Sequence, residues 1–225
     1  MITYHRDLIQ GSDEWLEARR GLLTASEMKL IVTPTLKAAS NDKERAHLYE
    51  LLAQRITGHV EPHYVGDDML RGHEDEVEAR ILYAQKYAPV ADMGFITNNA
   101  WGFTLGCSPD GLVGDDGMIE CKSRRQKFQV ETIINGEMPA DYLIQVQTAM
   151  LVTGRQWCDF VSYSGGLPMV TIRVLPDAAV QAAILKAAAD FEARLADKLA
   201  AYHRAMEAAD ARLIPTERRI IEEIF

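Results

Sequence analysis

The segment CSPDGLVGDDGMIECKS, residues 107–123, reads as the end of one strand, a turn and a second strand. Pro109-Asp110-Gly111 has turn chemistry, because proline fixes φ and glycine relieves strain. Gly114-Asp115-Asp116-Gly117 then folds the chain back into Met118-Ile119-Glu120-Cys121-Lys122. Alternate strand residues share a face, so Met118, Glu120 and Lys122 point one way and Ile119 and Cys121 the other. With Ile119 and Cys121 facing a core, Glu120 and Lys122 converge on the opposite side. Asp110 approaches that side once the turn closes. Two carboxylates and an amine at one sheet edge suit a hard divalent cation: Mg2+ takes oxygen ligands, one or two of them carboxylates, together with substrate phosphate. A lysine beside them orients or deprotonates an attacking water and steadies charge on a phosphate. Each piece alone also has an ordinary reading, as a turn and as a solvated strand face. The rest of the chain decides between the two.

Upstream, SDEWLEARRG reads as a short helix capped by Ser12 and stopped by Gly21. TASEMKLIV places Thr24 and Glu27 at capping-box spacing and reads as a second helix start. NDKERAHLYELLAQRITG is amphipathic, with Leu48, Leu51, Leu52 and Ile56 on one face and Gly58 as its stop. A further helix is expected over about 67–87, ended by Pro89. Within it, RGHEDEVEARILY shows an apolar face through Val77, Ile81 and Ala84 with Glu76 at its margin, where a carboxylate reaches into a cleft. Glu74, Asp75 and Glu78 read as its solvated side. From Asp92 the pattern changes to short strands: DMGFI, WGFTLGCS and MIECK, separated by turn residues. ADYLIQVQTAMLVTG is helical to Gly154. QWCDFVSYS and MVTIRVL form a hairpin about Gly165-Gly166. Pro176-Asp177 opens an Ala-rich helix running to about 212. The fold class is therefore α+β: a mainly antiparallel central sheet flanked by helices, with a long C-terminal helix. No repeat or linker marks a boundary, so one domain is expected over 1–225, with a core at about 12–175 and a helical appendage at 177–225.

The chain has 225 residues, 48% hydrophobic and 25% charged, ordinary for a globular protein. Its three cysteines form no C-x-x-C pair, and a reducing cytosol is the simplest setting. No signal-peptide core or membrane-length apolar run is present, so a soluble cytoplasmic protein is expected. The six histidines have no zinc spacing: His59 and His63 stand four apart, but Pro62 breaks a shared helical face. No phosphate loop of the G-x-x-x-x-G-K-S/T kind occurs, which excludes that type of ATP site. Trp15, Trp101 and Trp157 read as structural anchors. The formal net charge of −9 argues against indiscriminate nucleic-acid binding, but the charge is uneven. Residues 61–92 hold eight acids against three bases, while KSRRQK, residues 122–127, carries four positive charges. That juxtaposition suits a metal site next to a phosphate track.

Gly72-x-x-x-Glu76 on a helix, Pro109-Asp110, Glu120-Cys121-Lys122 and a glutamine-bearing helix with Gln145 and Gln147 together resemble the PD-(D/E)xK nuclease superfamily. WLEARRGLLTASE, CSPDGL and IQVQTAM are similar, in the same order, to blocks of its phage lambda exonuclease branch, also called YqaJ-type or alkaline exonucleases. The resemblance covers roughly residues 12–153 and implies a restriction-endonuclease-like core. It implies that Glu76, Asp110, Glu120 and the backbone carbonyl of Cys121 ligate one or two Mg2+ ions, with Mn2+ as a substitute. It further implies that Lys122 serves the nucleophilic water and that Gln145, in preference to Gln147, supports the lysine or substrate. Arg19, Ser26 and Ser108 would hold a terminal 5′-phosphate. The basic residue that the family places after Glu-x-Lys matches Arg124, Arg125 or Lys127, with Arg125 taken as the DNA contact. Independently of the family, Arg19-Arg20 precede the expected helix start at Thr24, where a helix N-terminus attracts phosphate. A capped helix with surface arginines is the ordinary alternative.

The function implied is a 5′-to-3′ exonuclease that degrades one strand of linear double-stranded DNA in phage or prophage-type homologous recombination. It would work beside a single-strand annealing protein, as a homotrimer and without a membrane. The alternatives are an endonuclease of restriction or repair type, and a non-catalytic DNA-binding recombination scaffold. The intact acidic set argues against the scaffold, because clustered acids are costly to keep. An iron–sulfur nuclease of the same superfamily is disfavoured, since three cysteines cannot supply four thiolates.

Overall fold

The computed structural model describes residues 1–61, 67–208 and 212–218, with residues 67–69 described by their backbone only. His63, and residues 219–225 of the tail 213–225 whose role the sequence leaves open, lie outside the described residues. The elements in chain order are β1 (Ile2–His5), α1 (Asp13–Arg19), β2 (Leu23–Thr24), α2 (Asp42–Thr57), α3 (Asp67–Lys86), β3 (Phe95–Asn98), β4 (Leu105–Cys107), β5 (Gly111–Val113), β6 (Gly117–Ser123), α4 (Gln126–Asn135), α5 (Leu143–Thr153), β7 (Trp157–Tyr163), β8 (Val170–Val174) and α6 (Ala178–Glu207). The fold is α+β. Instead of one central sheet there are two four-stranded sheets, ordered β1-β3-β4-β2 and β5-β6-β7-β8. Four of the six pairings are antiparallel; β2–β4 and β6–β7 run parallel. The parallel β6–β7 pair needs a long crossover, and α4 and α5 form it.

The second sheet is covered on both faces, which explains why β6 is almost wholly buried. On one face Met118, Cys158 and Phe160 join Val146 and Met150 of α5 and Ile184 and Phe191 of α6 in the main core. On the other, Ile119, Cys121 and Val161 pack against Ala79 and Tyr83 of α3. The alternation along 118–122 is as the sequence implies, but the Glu120 side is interior and not an open sheet edge. Glu120 is only 2% exposed. The β5–β6 hairpin closes with Gly111 opposite Ile119. Gly111 does not have a left-handed φ; a Cβ there would collide with the Val90 side chain. Its lack of a side chain lets α3's trailing loop close over the hairpin next to Asp110.

Helix ends follow local chemistry. The Ser12 hydroxyl accepts from Trp15 N, the Asn41 side chain from Glu44 N, and the Asp177 carboxylate from Ala179 N and Val180 N. Gly58 and Gly154 close α2 and α5 in the left-handed conformation. Four readings need correction. TASEMKLIV is not a helix: Leu23 and Thr24 pair with Leu105 and Gly106, and only a 3-10 turn over Met28–Leu30 follows. Met28, Ile31 and Val32 are all buried, so core contact and strand pairing override the capping signal. The Thr24 hydroxyl donates to the Glu27 carboxylate, 2.7 Å, instead of capping backbone. In α3 the buried face is Ala79 and Tyr83; Val77 and Ile81 are each 46% exposed, and Ala84 is exposed. Glu76 lies one turn from Ala79 and Arg80 on that inner face. Glu74 and Glu78 are exposed as expected, whereas Asp75 accepts a 2.5 Å hydrogen bond from Ser123 Oγ. α6 ends at Glu207, short of 212.

Candidate active site

Three elements meet around one point. β6 carries Glu120 and Lys122 two residues apart on one face. Asp110 stands at the start of the β5–β6 hairpin, and α3 brings Glu76 across the end of the sheet. Asp110 Oδ2 accepts from Cys121 N at 2.6 Å, which fixes its carboxylate against the strand. Lys122 Nζ lies 2.7 Å from Glu120 Oε1 and 3.9 Å from Glu76 Oε1. Gln145 Nε2, on the first turns of α5, donates to the same Glu120 oxygen.

The electrostatics show strain among the acids. Burial pushes the Glu76 carboxyl up to about 7, with Asp110 adding repulsion and Lys122 opposing it. Burial likewise raises Glu120 to about 7 against the pull of Lys122. Asp110 is raised by burial, while Lys122, the Cys121 N–H, Arg80 and His73 draw it back. Burial alone would lower Lys122, but Glu120, Asp110 and Glu76 override it and raise the ammonium well above its ordinary range. Three carboxylates share one lysine, so fully ionised they leave an unbalanced negative charge in a buried place. Oxygen donors with surplus negative charge fit a hard divalent cation. Among the described residues no three acidic, histidine or cysteine side chains form a closed ligand set; the Lys122 ammonium sits against Glu120 instead.

These groups line a cavity of about 180 Å3 together with Arg19, Ser26, Ser108 and Gln145. Of the site residues expected from sequence, Glu76, Asp110, Glu120, Lys122, Gln145, Arg19, Ser26 and Ser108 are thus gathered in one place. Arg19 Nη2 donates to Thr24 Oγ1 at 3.1 Å and lies 3.5 Å from Ser26 Oγ. Its guanidinium stacks over Trp15, 4.2 Å from the ring centroid. Trp15 Nε1 donates to Ser108 Oγ at 2.9 Å and to Gly94 O at 3.1 Å. One tryptophan therefore positions both Arg19 and Ser108. The helix N-terminus expected to attract phosphate near Thr24 does not form, and the donors at this end of the cavity are side chains.

Two residues do not join the cavity wall. Cys121 turns its thiol into the α3-facing core, and only its backbone faces the Asp110 side. Arg125 is the exposed N-cap residue of α4. Arg124 is stacked against Phe128 and Tyr142 and donates to Tyr142 Oη at 2.8 Å, and Lys127 sits over Phe128. The glutamines separate cleanly: Gln147 is buried, donating to Leu175 O and accepting from Asp177 N, so it pins the start of α6. The three cysteines are buried and free, their thiols pushed up by burial, which makes them inert.

Sequence reasoning missed Trp15, Thr24 and Gln10 as parts of the site. The four-residue spacing of Trp15 and Arg19 on one helix was the available signal for the first. Gln10 donates to Met93 O and Pro109 O and forms part of the wall, with no signal in its neighbours. A larger cavity of about 490 Å3 lies elsewhere, where the start of α2 faces α6. Among its charged groups Asp42 pairs with Arg45 and Glu44 with Arg194.

Residues 14–156 match the family model described as the YqaJ-like viral recombinase domain. Among solved structures, the chain is similar to an alkaline exonuclease, LHK-Exo, from Laribacter hongkongensis. The identity is 34% over 87% of this chain and 98% of that one, with a TM-score of 0.78. The same protein in complex with dAMP matches at 37% identity over 87% and 98%, again at 0.78. A phage-related exonuclease from Haemophilus somnus 129PT shares the fold at 14% identity, over 79% of this chain and 96% of that chain, with a TM-score of 0.57. No sequence among the curated proteins matches significantly.

Proposed function

The chain belongs to the YqaJ-like viral recombinase family, and from that premise we propose that it is a Mg2+-dependent 5′-to-3′ exonuclease acting on one strand of linear double-stranded DNA. The observation that carries this reading is one cavity of about 180 Å3 whose wall holds both an anion pocket and a carboxylate–lysine cluster. Removing a terminal nucleotide needs both: a grip on the end phosphate and chemistry at the next one. The likeness to a protein named an alkaline exonuclease supports the activity, and its dAMP complex supports a mononucleotide product.

Glu76, Asp110 and Glu120, with the Cys121 carbonyl, would hold one or two Mg2+ ions, with Mn2+ as a substitute. Bound there, the metal supplies Lewis-acid polarisation of the phosphate and a water of lowered pKa. Lys122, kept protonated beside Glu120, donates to charge developing on the phosphate; while charged it is a stabiliser and not a base. Gln145 ties down Glu120 so that lysine and carboxylate keep their places. Arg19 offers a planar fork to the end phosphate. Ser108 accepts from the donor-only Trp15 indole, so its own hydroxyl proton remains for the anion. Arg125, exposed at the start of α4, suits a contact to the DNA backbone outside the cavity.

A net charge of −9 leaves little general attraction for DNA, and a homotrimeric ring would retain the duplex topologically. Work beside a single-strand annealing protein in the cytoplasm completes the reading. Linear and closed-circular duplex, each with and without Mg2+, test it by release of acid-soluble nucleotides. Release from linear DNA alone, and only with the ion, is expected. A nicked or linearised circle would point to the endonuclease, and no cleavage of either form to the scaffold.

A further inference from the structure

A second cavity, about 370 Å3, adjoins the first and shares Gln10, Glu76 and Asp110 with it. The carboxylates thus stand at a seam. Arg19, Ser26 and Ser108 line only the smaller cavity; Arg6, Ile9, Val77 and Arg80 line only the larger. The larger one has three kinds of wall: carboxylates (Asp7, Asp92 and the shared Glu76 and Asp110), exposed apolar side chains, and arginines. Ile9, from the segment joining β1 to α1, is 75% exposed, and Val77 of α3 is 46% exposed. Both are apolar side chains left open to solvent in a groove, where a flat apolar body would cover them. Beside them are the guanidinium groups of Arg6 and Arg80. Arg80 pairs with Asp92, whose side chain is 85% exposed, so that pair contributes little and is easily exchanged for a phosphate. The Arg80 Nε–H is buried with no hydrogen-bond partner among the described residues. Apolar walls with adjacent cations match a nucleotide: a base for Ile9 and Val77, a backbone phosphate for the arginines.

A phosphodiester cleaved at the seam has one nucleotide on each side. We propose that this groove holds the second nucleotide of the digested strand, while the terminal nucleotide fills the cavity of Arg19, Ser26 and Ser108. The inference rests on the exonuclease reading above. Water adds to the scissile phosphorus and the bond to the terminal nucleotide's 3′ oxygen breaks, that oxygen taking a proton. The phosphate stays on the second nucleotide, whose new 5′-phosphate is the group that the anion pocket grips in the next cycle.

The test uses duplexes whose digested strand lacks the base at nucleotide two or at nucleotide four, compared with intact duplex in single-turnover release of the first nucleotide. Wild type should slow about fivefold on the gap at two, from lost apolar contact, and not on the gap at four. The double variant Ile9→Ser, Val77→Ser alters exposed side chains and leaves the fold in place. It should release from intact duplex about fivefold more slowly, should no longer distinguish the gap at two, and should keep the preference for 5′-phosphate over 5′-hydroxyl ends. Indifference of wild type to the gap at two overturns the proposal. So does a variant that is slowed yet discriminates fully. Failure of the exonuclease reading would look different: wild type would release nothing from any of the three duplexes.

Discussion

The two ends of the small cavity are built differently. The carboxylate end stands on β6, a strand buried on both faces, and its groups perturb one another: two acids at about 7 and a lysine raised by three carboxylates. The anion end stands on α1 and the β2 region, and it is assembled by ring stacking and single hydrogen bonds around Trp15. The first stores electrostatic stress that a cation would relieve; the second is an ordered set of donors with little stress. Changes at the first end should therefore affect metal binding, pH response and chemistry. Changes at the second should affect which DNA end is accepted.

The largest effect is expected from Lys122→Ala. Loss of the ammonium held beside Glu120 should cut turnover by roughly 10²–10³-fold or more, while DNA-end binding measured by fluorescence anisotropy stays near wild type. Near-normal turnover in Mg2+ would remove the contrast between the two ends. Arg19→Ala comes next. Digestion of 5′-phosphorylated ends should fall about ten- to a hundredfold through loss of a charge-assisted contact, with 5′-hydroxyl ends little changed. Equal slowing on both would make Arg19 structural.

A pH response should mark the carboxylate end alone. Glu76 and Glu120 have folded values of about 7 against an ordinary 4.5, so between those values the folded state binds more protons than the unfolded. Stability of the ion-free protein therefore falls as pH rises from 4.5 to 7, and is fully retained below that window. Melting curves across pH should show this decline, and stabilisation by Mg2+ or Mn2+ should grow over the same range. Glu120→Gln should flatten the decline and lose most of the ion's stabilisation, visible also by calorimetry with Mn2+. A melting midpoint that climbs through this window would show that the acids are not in conflict. The smallest effect belongs to Trp15→Phe, which keeps the ring under Arg19 but removes the donor to Ser108. Preference for 5′-phosphate over 5′-hydroxyl should drop about fivefold, one ordinary hydrogen bond.

The same contrast separates what the sequence made legible from what it did not. β6 could be read because strand alternation and the Pro-Asp and Gly-Asp-Asp-Gly turns are local signals, and they set Glu120, Lys122 and Asp110 together. α2 and α5, each ended by glycine, and the hairpin of β7 and β8 about Gly165-Gly166 were equally local. The anion end failed at its helix: Thr24 and Glu27 have capping spacing, yet burial of Met28, Ile31 and Val32 draws the segment into the core beside β4. The face of α3 was misassigned for a related reason. Val77 and Ile81 look like core residues, but the sheet offers its hollow to Ala79 and Tyr83, and only tertiary packing reveals that. α4 went unread because its inner residues are polar: Gln129 is buried by hydrogen bonds to Ser162 O, Ser162 Oγ and Pro168 O, while Ile134 is 76% exposed. Gln145 and Gln147, two apart on a helix, face different sides, and the preference for Gln145 came from the family resemblance. What separates their roles, a donor to Glu120 against a brace for α6, is tertiary.

The central claim is that one cavity grips a 5′ end and cleaves beside it. It is tested most directly with linear duplex carrying 5′-phosphates, labelled separately at the 5′ and the 3′ end of one strand and followed with and without Mg2+. The account predicts immediate release of the 5′ label as mononucleotide with Mg2+, late release of the 3′ label, and no release of either without the ion. Early loss of the 3′ label, or equal rates with the metal removed, would contradict it.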